Sequence, residues 1–189
     1  AVPPLLVDTL LFIENRELLD ERYPLRNPAV EWARFGRALA DQLLRRIDDS
    51  RPAAGGSTLA TQIEKYRHSP EGRTDTAKEK LRQMASASLR AYLDGENTRQ
   101  RRREIVTDYL NTVPLSAQAG FGEVNGLGDG LWAWYGRDFA EVNRLLAALV
   151  SDDGETLLPQ RNALAFKQAL IPRQALAYRQ ALSLMIAQR

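Results

Sequence analysis

The chain has 189 residues, of which 44% are hydrophobic and 26% charged, the balance of a folded globular domain rather than a disordered segment. The 26 basic and 24 acidic residues leave a net charge of +2, too little to mark a nucleic-acid binder. With no cysteine and a single histidine, His68, disulfides, thiolate metal sites and histidine-rich metal sites are excluded, and a serine or cysteine triad nearly so.

In chain order the pattern is nearly all helical. Pro3 and Pro4 suit a first helical turn, where a missing N–H costs little. Leu5, Leu6, Leu10, Leu11, Ile13, Leu18 and Leu19 then predict a helix over 4–20. Val30, Trp32, Phe35, Leu39, Leu43, Leu44 and Ile47 predict a second over 29–47. Residues 48–57 carry the Gly, Pro and Ser of a loop, and Ser57 or Thr58 caps a helix running to about Tyr66.

A helix over 75–93 follows, with Leu81, Met84, Ala85, Ser88, Leu89 and Tyr92 on its apolar side. Another is predicted over 101–113. Residues 114–130 hold five glycines without a strong period, which predicts a long loop or short helical pieces. The last helix is expected near 175–188. No stretch alternates cleanly enough for a sheet, and no run of 18 apolar residues could span a bilayer. The pattern is already formed at Ala1, so the expectation is a single domain over 1–189 cut from a longer, membrane-anchored protein.

Two segments carry chemistry. Glu14 follows Leu10, Leu11, Phe12 and Ile13; a carboxylate against apolar surface loses hydration, which favours its protonated form and suits it to proton transfer. Alone, it is equally a helix-end carboxylate exposed or paired with Arg16. Gly55-Gly56-Ser57-Thr58 opens a helix, and a glycine loop at a helix N-terminus suits an anion. Alone, it is a loop before a capped helix. Arg73, Lys78, Lys80 and Arg82 could neutralise a pyrophosphate or form a solvated face. Arg99 to Arg103 read as a solvated turn and helix start, or as a contact for anionic lipid headgroups.

In order and spacing, five motifs resemble the peptidoglycan glycosyltransferase (transglycosylase) domain of penicillin-binding proteins and monofunctional transglycosylases. They are Glu14-Asn15, Gly55 to Lys65, Glu79 to Gln83, Ile105 to Asn111, and Trp134-Tyr135-Gly136-Arg137, with Arg37-Ala38-Leu39 between the first two. The resemblance covers about 2–188. It implies an all-α, lysozyme-like fold with a larger head and a smaller membrane-facing jaw. It implies polymerisation of lipid II on the extracytoplasmic (periplasmic) face of the bacterial cytoplasmic membrane. Glu14 would be general base, and Gln83 stands where the family has a second glutamate. Lys65, Arg73 and Lys80 would neutralise the leaving pyrophosphate. Ser57, Thr58, Gln62 and Asn111 would shape the donor site, with Arg37 among the substrate-binding residues. A divalent cation, Mg²⁺ or Mn²⁺, is implied as cofactor, held by carboxylate, amide and phosphate oxygens. The partners implied are lipid II, the growing glycan strand, the membrane surface and other cell-wall enzymes, with no nucleic acid.

The departures are specific. An amide at Gln83 cannot supply the charge of a glutamate, although Glu79 lies one turn earlier. Asn15 replaces an aspartate, Leu18 an aromatic and Glu21 a histidine; Ala60 and Thr61 replace threonine and glutamine; Pro114 and Leu115 replace tyrosine and glycine. Three functions therefore compete: a divergent glycosyltransferase, a binding or scaffold module that has lost turnover, and a muramidase-like lytic enzyme working with one glutamate.

Overall fold

A computed structural model describes residues 2–32, 36, 57–68, 76–147 and 172–186. Among them are seven helices and no strand, the all-α, lysozyme-like class expected. The helices are α1 (Pro4–Glu14), α2 (Leu59–His68), α3 (Ala77–Ala91), α4 (Arg99–Thr112), α5 (Gly126–Tyr135), α6 (Phe139–Ala147) and α7 (Pro172–Ile186). The predicted helix over 29–47 falls mostly outside the described residues. The chain divides into two compact units, one of Ala1–Ile13 with Thr107–Arg189, the other of Glu14–Val106.

In the first unit α5, α6 and α7 pack on one another. Leu131, Val142, Leu146, Ala177 and Ala181 are buried there. Thr9 of α1 and Tyr178 of α7 share a hydrogen bond of 3.0 Å between their hydroxyls. Residues 114–130 are more ordered than a glycine-rich stretch predicts. Pro114 pairs with Asn125 and Gln118 with Gly122 in isolated antiparallel bridges, and α5 begins directly afterwards. Gly126 makes that junction possible. Its φ is +79°, and a Cβ there would lie 2.3 Å from the Asn111 carbonyl oxygen, so no other residue fits. Gly136, with φ 58°, closes α5 in the left-handed conformation and donates back to Leu131 and Trp132.

In the second unit the first helix ends at Glu14, not at residue 20 as its leucines predict. Turns occupy most of 16–29. Arg102 explains why. Its guanidinium, on α4, donates to the carbonyls of Leu18 (2.7 Å), Asp20 (3.0 Å) and Tyr23 (3.0 Å). Thr98, at the start of α4, donates its hydroxyl to the Arg26 carbonyl (2.6 Å) and its backbone N–H to the Pro24 carbonyl (2.9 Å). Five carbonyls between residues 18 and 26 thus find their partners at Thr98 and Arg102. Leu18 still reaches the core, fully buried. Within the Arg99–Arg103 run Arg99, Gln100 and Arg103 are exposed, as a solvated helix start predicts, but Arg102 is 1% exposed, and burial together with Arg26 and Arg99 lowers its pKa. Arg99 and Arg103 also reach across, to the Glu21 carbonyl and carboxylate.

α2 packs on α3. α3 begins at a capping box, in which Thr76 Oγ1 accepts from the Glu79 N–H and the Glu79 carboxylate accepts from the Thr76 N–H. Its buried face is Gln83, Ala87 and Ala91. The predicted apolar side is the wrong one: Leu81, Ala85 and Leu89 are exposed, while a glutamine and two alanines allow the close approach of α2.

Candidate active site

Glu14 is the last residue of α1 and is 8% exposed, which closes the exposed-carboxylate alternative. Gln62 Nε2, from α2, donates to Glu14 Oε2 at 3.2 Å. Tyr66 stands one turn beyond Gln62, on the same face of α2. Burial, and then the negative charge of Glu14, push its phenol above the ordinary 10.0, so near neutrality the ring carries an intact hydroxyl beside a carboxylate. Asn15 is buried next to Glu14 in the chain. Glu14 and α2, 48 residues apart at their contact, thus meet at this carboxylate.

The start of α2 is built by its threonines. Thr58 Oγ1 accepts from the Thr61 N–H (3.3 Å), and Thr61 Oγ1 accepts from the Thr58 N–H (2.8 Å). The Thr61 hydroxyl also meets the Thr58 carbonyl at 2.9 Å. This reciprocal arrangement has the form of a capping box with threonine in place of the usual Glu or Gln. Thr58 is therefore the cap and is fully buried. Its side chain holds the helix rather than facing a ligand, whereas Ser57 beside it is exposed. Gly55 and Gly56 lie outside the described residues.

The remaining predicted residues divide. Lys65 is half-buried on α2, while Lys78, Lys80 and Arg82 are exposed on α3. Gln83 is buried. Glu79 is exposed and engaged in the capping box, so its carboxylate serves the helix start rather than replacing a glutamate at position 83. Asn111 is exposed on α4 and belongs to the other unit. Arg37 and Arg73 lie outside the described residues. Among the described residues no group of three acidic, histidine or cysteine side chains could hold a metal ion. The Glu14 carboxylate with the Gln62 amide does not form a carboxylate cage for Mg²⁺ or Mn²⁺.

One residue of this region escaped the sequence reading. Glu64, inside the Gly55–Lys65 motif, is 2% exposed. It accepts from Ser86 Oγ at 2.6 Å and pairs with Arg90 Nε at 3.0 Å and Arg67 Nη1 at 3.2 Å. The available signal was a charge between Ile63 and Lys65 on a helix with Arg67 three residues on.

A buried carboxylate bonded by an amide from α2, in an all-α fold, is an arrangement that can serve proton transfer. Residues 1–171 match the transglycosylase family, and the chain belongs to it. Its activity class is that of the peptidoglycan glycosyltransferases, which work on extracytoplasmic peptidoglycan. No match was found among curated proteins. No helix among the described residues is long and apolar enough to cross a membrane.

Proposed function

We propose that the chain polymerises a lipid-linked disaccharide, lipid II, with inversion, and that Glu14 is its general base. Glu14 takes the proton of the acceptor sugar 4-hydroxyl. That oxygen forms a bond to the anomeric carbon of the lipid-linked donor chain, and the bond from this carbon to the pyrophosphate oxygen breaks. The pyrophosphate leaves toward Lys65, Lys80 and Arg73, which balance its charge. Ser57, Gln62 and Asn111 shape the donor site, Arg37 contributes to substrate binding, and Thr58 acts through the cap that holds α2. The reaction runs at the extracytoplasmic membrane surface, with the growing strand as partner. The single observation carrying this reading is the buried Glu14 bonded by Gln62, which gives a base both reduced solvation and a fixed direction.

A metal is not needed for the proton transfer. Mg²⁺ or Mn²⁺ would associate through the phosphate oxygens of the substrate. The second reading, a glycan or lipid-carrier binding module for other cell-wall enzymes, is favoured by Gln83, whose amide carries no charge.

The deciding experiment is lipid II polymerisation by the anchored protein with either cation. Glu14→Gln is expected to reduce product at least about 100-fold, the scale of a lost general base. Wild type without product, together with product from Gln83→Glu, would establish the binding reading instead.

A further inference from the structure

Glu64 lies two residues beyond Gln62, which at 3.6 residues per turn places it about 200° round α2. Gln62 and Tyr66 face Glu14 from one side of the helix. From the other side Glu64 is fastened to α3 through Ser86 and Arg90, with Arg67 of α2 completing its shell. A carboxylate 2% exposed is costly to bury and holds its place only with partners of this kind. Its bonds to Ser86 and Arg90 are directional, so they fix the rotation of α2 more sharply than non-directional apolar packing does.

We infer that Glu64 is a positioning residue: it locks α2 against α3 so that Gln62 is presented to Glu14. The importance of that geometry rests on Glu14 being the base.

The test uses NMR of the Gln62 side-chain amide in the intact protein, which does not depend on turnover. A protein that never polymerises lipid II would refute the proposed function while leaving this readout to decide the inference. In folded Glu64→Gln the Gln62 amide should exchange at least about tenfold faster than in wild type, and Glu64→Asp should fall between them. An unchanged Gln62 amide in folded Glu64→Gln overturns the inference. If Glu64→Gln does not fold, Arg90→Gln, which removes one half-exposed partner, carries the same expectation and the same refutation.

Discussion

At the scale of the residue, burial separates polar side chains that look alike in sequence. Arg99, Arg101, Arg102 and Arg103 form one basic run, yet only Arg102 is wholly inside, spending its guanidinium on three carbonyls. Arg102→Ala leaves those carbonyls in need of partners and should lower stability by about 2–4 kcal/mol, with the local turns affected first; a urea midpoint shifted no more than by Arg101→Ala would contradict it. Asp20 shows a surface effect of known sign. The side-chain bond from Arg22, at 2.8 Å, with further pull from the Arg22 backbone and charge, brings Asp20 from the ordinary 3.8 to about 2. A depressed folded pKa stabilises above the unfolded value and is lost as pH falls through the folded one. Unfolding followed between pH 5 and 1.5 should therefore show a loss across roughly pH 4 to 2 that Asp20→Asn lacks. At Glu14 the apolar neighbours in sequence correctly indicated a buried carboxylate. Its partner could not be read, because Gln62 is 48 residues away and only folding brings it close.

At the scale of the element, caps and close approaches set boundaries that periodicity misses. The leucines of the first helix continue to Leu19, but the helix stops at Glu14 because α4 supplies bonds to the segment beyond. The start of α2 was legible, since Thr58 is a residue type that caps; that Thr61 would return the bond was not, because threonine is an unusual third residue for a capping box. Thr58→Ala should cost about 1 kcal/mol or more, given its full burial, and should accelerate exchange of the first α2 amides. Gly126→Ala should be far worse. Its Cβ would overlap the Asn111 backbone in a conformation that already disfavours alanine, so a thermal midpoint close to wild type would refute the junction. For α3, amphipathic counting chose leucines as the inner face, yet the inner face is Gln83, Ala87 and Ala91. Small residues let two helices approach, and hydropathy alone does not register that preference.

At the scale of the whole molecule, the family fixes the kind of chemistry, and the proposed site narrows the substrate. The proposed base and basic residues suit a donor whose leaving group is a pyrophosphate. The intact anchored protein should consume lipid II and release no soluble fragments from cell-wall sacculi; fragments without polymer would favour a lytic enzyme. The order of motifs was enough to place the chain among the transglycosylases, because motif spacing is a property of sequence. Helical class was equally legible, since a 3.6-residue repeat of apolar side chains is local. What the tertiary structure alone decided is which polar groups lose water together. Glu14 with Gln62, Glu64 with Ser86 and Arg90, and Arg102 with the carbonyls of 18–23 are each made across a long loop or between helices. Desolvation depends on what the rest of the chain brings to a residue, not on its neighbours in sequence.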